Sequence, residues 1–323
     1  MSAGSGDLLA VTADSSILAG ATVLLAGVID VAFGEPPNAL HPVVWIGRLV
    51  TALERRGPRG RPRAERAYGA LIVAVTTGVC AAAGLAIVIV LVRLPWWLAL
   101  PLGAVALKVT CSLRGLVAAG RHVQRALGTD TDAAREGLRA LVSRHRDLEP
   151  PQIVSAAIES LAENLTDSVV APLLFFALLG LPGALAYRAV NTMDAMIGYH
   201  GEYEYLGKVA ARADDVANFI PARLTGLLLT ALAVIRGTGA AAWTALRRQR
   251  RLSTSPNKLW TIAPMAGALG VRLEKPGVYA VGPDTRPLRA AIIGEAVVLV
   301  WAAGAIAIVA GAGLAALLAG WWA

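Results

Sequence analysis

Residues 158–218 read IESLAENLTDSVVAPLLFFALLGLPGALAYRAVNTMDAMIGYHGEYEYLGKVAARADDVAN, two clusters of acids and amides around an apolar insert. The insert decides the fold, because a bilayer core takes about 20 apolar residues per helix and runs of this length recur along the chain. Working outward, they are 16–33, 68–92, 94–111, 169–190, 219–235 and 290–322. With 56% hydrophobic residues among 323 and a mean hydropathy of +0.59, the expected fold is all-α. It is a polytopic integral membrane bundle forming one catalytic domain over 1–323, with amphipathic cytoplasmic helices and polar loops at 34–67, 112–168, 191–218 and 236–289. Only 16% of the residues are charged, so the acid clusters are either solvated loops between spans or an active site at a membrane face.

A net charge of +8 would suggest nucleic acid for a soluble chain. Here the arginines sit in loops beside apolar runs, so the partner is the lipid bilayer and nucleic acid is excluded. Asp7 and Asp14 precede the first run, whereas Arg48, Arg55, Arg56, Arg59, Arg61, Arg63 and Arg66 follow it. That places the amino terminus outside and the 34–67 loop inside. Cys80 and Cys111 lie in or beside apolar runs without a CxxC, which reads as core rather than disulfide or zinc.

In DVAFGEPPNALHPVVWIGRL, residues 30–49, the prolines hold Asp30, Glu35 and His41 on a stiff turn, or simply stop a helix. Further on, Leu116, Ala119, Val123 and Leu127, then Leu138, Leu141 and Val142, recur at helical spacing. They mark two amphipathic helices, the second capped by Asp130 or Thr131. A third helix from about residue 151 carries Glu159, Glu163 and Asp167 at i, i+4 and i+8, with Ser160 and Asn164 beside them. Three carboxylates on one ridge with no Lys or Arg between them repel unless a cation intervenes. Mg²⁺ is the natural choice, and an acidic solvated face the alternative.

The apolar insert, interrupted by Gly180, Pro182 and Gly183, reads as a broken span or a re-entrant hairpin, which leaves the side of the second cluster open. There, Asn191 and Asp194, and Asp214, Asp215 and Asn218, stand one turn apart with Arg212 and Arg223 flanking. Oxygen ligands at that spacing suit a shared metal, and guanidinium forks suit phosphate. His200 reads as a loop histidine. Ser253, Ser255, Pro256 and Asn257 form a turn into the closely packed MAGALG stretch, and Glu295 within the last run is expected to face protein. No GxxxxGK[ST] loop is present to hold a nucleotide.

Five blocks, DVAFGEPPNALHPVVWIGRL, ESLAENLTDSVVAPL, GALAYRAVNTMDAMIGY, GKVAARADDVANFIPARL and SPN…MAGALGV, resemble in this order the adenosylcobinamide-phosphate synthase family of cobalamin biosynthesis. The resemblance implies a ligase of the bacterial inner membrane with its site facing the cytoplasm. It implies an ATP-dependent amide bond between adenosylcobyric acid and (R)-1-aminopropan-2-ol or its O-phosphate. Other membrane enzymes of the pathway, and further copies of the chain, are candidate partners. Two departures stand out: SRHRDL where the family tends to read SRD, leaving Arg144 and Arg146 as alternatives for its arginine, and Lys258 and Leu259 after SPN.

On this reading Mg²⁺ is assigned to Glu159, Glu163, Asp167, Asp194, Asp214 and Asp215. Phosphate contacts go to Lys208, Arg212 and Arg223, with Glu163, Asp215 and Arg212 catalytic and Glu163 as general base. Glu35, His41, Asn164, Asn191, Asn218, Ser255 and Asn257 are assigned to substrate binding. Two other readings compete. A Mg²⁺-dependent intramembrane prenyltransferase would use NTMD and DDVAN to hold diphosphate without ATP, and a transporter would place its acids in mid-span.

Overall fold

The computed structural model describes residues 5–139, 141, 148–199 and 201–319. His200, Val142, Arg144, Arg146 and the end of the last apolar run lie outside the described residues. The fold is that of an all-α polytopic membrane protein. Among the described residues, five stretches are long and apolar enough to cross a membrane: 16–33, 62–91, 96–126, 150–197 and 290–318. Residues 219–235, the sixth run expected to cross, form a 17-residue helix.

The backbone divides into two compact units, each assembled from separate pieces of chain. The first comprises residues 1–112, 171–217 and 307–323, the second 113–170 and 218–306.

Unit one holds α1 (Ser5–Phe33), α2 (Pro42–Glu54), α3 (Pro62–Leu91), α4 (Trp96–Lys108), α8 (Ala171–Ile197) and α9 (Lys208–Ala217). The prolines of the 34–67 segment start helices as well as stopping one. His41 is the N-cap of α2, its Nδ1 accepting from Val43 N–H at 3.2 Å, and Pro42 follows at the first helical position. This loop therefore contains a helix. Val50 is wholly buried in it, packed with Ile72 and Cys80 of α3, Ala189 and Met193 of α8, and Leu206 and Ala210. The α8 helix runs beyond the apolar insert to Ile197 and so carries Asn191 and Asp194 on its last turns. It is broken at Gly180, whose φ of 64° and ψ of −159° only glycine adopts readily. The α3 helix packs against α8 at that break: a side chain on Gly84 would meet the Pro182 backbone at 2.7 Å.

Unit two holds α5 (Leu113–Ala126), α6 (Thr131–Leu138), α7 (Pro150–Leu165), a π turn (Thr166–Val170), α10 (Phe219–Ile235), α11 (Gly239–Gln249) and α12 (Lys258–Leu269). Asp130 caps α6 by accepting from Asp132 N–H at 2.9 Å. Gln152 reaches back to Glu149 N–H at 2.9 Å to fix the start of α7. The small residues of MAGALG let α12 press on α11, where a side chain at Gly267 would lie 2.5 Å from Ala242 Cα. A short antiparallel pair, β1 (Leu273–Lys275) and β2 (Tyr279–Val281), is the one strand pairing among the described residues and gave no signal in the sequence. The last apolar run forms a single helix, α13 (Ala290–Leu318).

Candidate functional site

In unit one the α1 and α4 ends deliver charges to the GEPPNALHP turn. Lys108 Nζ lies 2.8 Å from Glu35 Oε2 and 3.4 Å from Asp30 Oδ1, with Lys108 and Asp30 almost fully buried. A buried ammonium costs several kcal/mol unless carboxylates surround it, and here two do. His41 Nε2 is 2.8 Å from the same Glu35 oxygen. Because Nδ1 accepts a backbone N–H, the ring proton sits on Nε2 and His41 donates to Glu35, leaving neither nitrogen free. Burial works to raise the Glu35 carboxyl, but donors from Lys108, Ser112 and His41 hold it below the usual glutamate range. Glu35 and His41 are thus brought together, around a lysine that sequence reasoning missed.

On α8, Arg188 Nη1 donates to Asn191 Oδ1 at 3.4 Å, and Asn191 Nδ2 donates to Asp214 Oδ1 of α9 at 3.4 Å. Both bonds are at the long limit. Asp194 and Asp215 are half-buried and Arg212 is exposed on this same unit, while Lys208 pairs loosely with Glu204 at 3.8 Å. Asn191, Asp194, Asp214, Asp215, Arg212 and Lys208 therefore share unit one.

In unit two, Glu159 is fully engaged. Its Oε1 accepts from Ser155 Oγ at 2.7 Å and its Oε2 from the Tyr279 hydroxyl at 2.6 Å. Ser155 Oγ also accepts from Glu274 N–H at 2.8 Å. The pair thus fastens the β1–β2 hairpin to α7. Burial, together with the Glu159 carboxylate, raises the Tyr279 hydroxyl well above the usual tyrosine range.

One turn on, Glu163 faces Lys258 at 3.7 Å, so a residue at which the chain departs from the family pattern supplies its counter-charge. Asn164 donates to its own helix at Ser160 O. Asp167 lies in the π turn, which interrupts the regular ridge expected from Glu159 onward. Arg223 donates to Asn257 Oδ1 at 2.6 Å and Pro256 O at 3.2 Å, with its guanidinium over the Phe219 and Trp260 rings. Ser255 Oγ accepts from Asn257 N–H, and Asn218 is buried at the start of α10. Glu295 faces protein, held by Arg286 at 2.6 Å and Arg236 at 3.0 Å.

Glu159, Glu163 and Asp167 thus belong to unit two, and Asp194, Asp214 and Asp215 to unit one. Among the described residues no three His, Cys, Asp or Glu side chains form a ready-made metal cage. Mg²⁺ seldom uses one, binding instead through one or two carboxylates, water and substrate phosphates. The missed residues are Lys108, Arg188, Ser155 and Tyr279. Lys108 and Arg188 had a signal, being basic residues inside apolar runs.

A family model described as CobD/Cbib protein matches residues 23–316. A "Cobalamin biosynthesis protein CobD" of Dehalococcoides mccartyi is 44% identical over 292 residues, covering 88% of this chain and 93% of that protein. A "Probable cobalamin biosynthesis protein CobD" of Methanothermobacter thermautotrophicus is 42% identical over 80% of this chain and 86% of its own length. A "Cobalamin biosynthesis protein CbiB" of Salmonella typhi is 37% identical over 88% and 93%. No solved structure matches.

Proposed function

The chain belongs to the CobD/Cbib family, and from that premise we propose that it acts in cobalamin biosynthesis as an ATP-dependent ligase. It would join a carboxylate of adenosylcobyric acid to (R)-1-aminopropan-2-ol or its O-phosphate. The observation that carries this reading is the family match over residues 23–316. It leaves the prenyltransferase and transporter readings without a specific observation in their favour.

A carboxylate is a poor acceptor for an amine, so ATP, as co-substrate, would activate it as an acyl phosphate, and the amine would then displace phosphate. The residues present suit that chemistry. Carboxylate oxygens at Asp194, Asp214 and Asp215 are hard donors of the kind Mg²⁺ takes, and Glu159, Glu163 and Asp167 offer the same chemistry in unit two. When bound, Mg²⁺ would supply neutralisation of phosphate oxygens. Lys208, Arg212 and Arg223 would bind phosphate oxygens. Glu163, its charge balanced by Lys258, would take the amine proton. The exposed Glu35, fixed by Lys108 and His41, would hold a polar group of a substrate. We place the protein in the bacterial inner membrane with this chemistry at the cytoplasmic face, where ATP is available.

The test is detergent-purified protein with Mg²⁺, ATP, adenosylcobyric acid and aminopropanol phosphate, followed by the corrinoid mass, with arms lacking ATP or using the unphosphorylated amine. An ATP-dependent gain equal to the amide supports the ligase and identifies the amine. No gain from folded protein contradicts it.

A further inference from the structure

Arg188 lies within the apolar insert, where an uncompensated guanidinium is costly and is kept only facing protein or a polar cavity. Its Nε is buried and has no hydrogen-bond partner. Among the described residues its one polar contact is the 3.4 Å bond to Asn191, a neutral amide, and no carboxylate pairs with it. Lys108 Nζ, on a helix that packs against α8, is likewise buried without a well-aligned hydrogen bond, but two carboxylates lie within 3.4 Å of it. On α3, packed along α8, the hydroxyls of Thr76 and Thr77 are also buried without partners. Leaving a buried donor unmade costs about 1–3 kcal/mol, more for a charged one, so an open guanidinium edge here is an interaction awaiting its other half.

We propose that Arg188 binds an oxyanion of a substrate, a phosphate or a carboxylate, through its open Nε edge, with Asn191 orienting the guanidinium plane. The planar fork matches both anions bidentately. Asn191 passes the orientation on to Asp214, so the anion is read at the end of a chain of polar residues from α9. The anion site stands on the geometry alone; that its occupant is ATP, the amine's phosphate or the corrinoid's carboxylate rests on the ligase reading above.

The test is ligand-induced stabilisation of the full chain in detergent, titrating inorganic phosphate, ATP, aminopropanol phosphate, unphosphorylated aminopropanol and adenosylcobyric acid separately against wild type, Arg188→Gln and Arg188→Lys. The expected result is that at least one of the oxyanion ligands needs about 10- to 100-fold more to reach half-effect in Arg188→Gln. Arg188→Lys, keeping charge but losing the fork, should fall between. Unphosphorylated aminopropanol should be unaffected, and the ligand that shifts names the source of the anion. Without ligand, Arg188→Gln should melt no lower than wild type, since a merely structural arginine would lower it. Unchanged half-effects for every oxyanion in folded Arg188→Gln or Arg188→Lys overturn the proposal, as does failure of every oxyanion to stabilise wild type. Oxyanion binding that depends on Arg188 in a wild type with no ligase turnover would sink the ligase reading and leave this one standing.

Discussion

Glu159 and Arg188 are both charged groups carried by helices of low charge, and they are treated in opposite ways. In unit two, Glu159 has both oxygens filled by Ser155 and Tyr279, and in doing so clamps a hairpin. In unit one, Arg188 has a buried nitrogen with nothing to bond. A charge whose hydrogen bonds are already made is scaffold, because breaking them to bind something else costs what they contribute. An unsatisfied one is a standing penalty that a ligand can relieve. Sharing a helix or an acidic spacing with the reacting groups does not separate the two roles; hydrogen-bond satisfaction does.

The comparison can be broken or sharpened in several ways. The largest effect is expected at Asp215, half-buried on α9: Asp215→Asn should abolish turnover while the melting temperature holds, and full activity would remove it from the site. Next comes Lys108→Met, which removes the cation facing Asp30 and Glu35 and should cost about 3–5 kcal/mol. Adding Asp30→Asn and Glu35→Gln should restore most of that loss in a thermal melt. Smaller is the hairpin clamp: Tyr279→Phe or Glu159→Gln should cost about 1–3 kcal/mol and leave the KM of each substrate unchanged.

The smallest is a pH effect at Glu35. Its folded pKa is held below the unfolded one by Lys108, Ser112 and His41 against the pull of burial. It therefore contributes stability that is present above the ordinary glutamate pKa and is lost as pH falls through the lower folded value. The stability gap between wild type and Glu35→Gln should accordingly shrink between about pH 5 and pH 3, measured by melting.

Much of the architecture was legible because apolar runs and capping residues are local signals. The 68–92 run, Asp130 at the start of α6 and the turn before α12 all fall where periodicity and turn chemistry put them. The β1–β2 hairpin was not legible: three-residue strands carry no periodicity, and what holds Tyr279 in place is Glu159, 120 positions away. The 34–67 segment reads as a polar loop because its prolines suggest a stiff turn or a helix stop, whereas Pro42 begins a helix whose cap is His41.

At the candidate site, residue type and spacing drew attention to Glu35, His41, Asn191 and Asp214, which the fold joins in two small networks. Spacing along a helix says nothing of whether a carboxylate already accepts hydrogen bonds, as Glu159 does from Ser155 and Tyr279. Reading only acids in apolar runs hid Lys108 and Arg188, whose partners come from other segments.

The most direct measurement takes Glu159→Gln and Arg188→Gln side by side, recording the melting temperature and the ATP-dependent gain in corrinoid mass at limiting substrate. Satisfied scaffold against open site predicts that Glu159→Gln melts lower yet, while folded, turns over with wild-type KM. It predicts that Arg188→Gln melts no lower and loses product at limiting substrate. Product formation by Arg188→Gln at the wild-type rate, or loss of turnover in folded Glu159→Gln with its melting temperature intact, would contradict it.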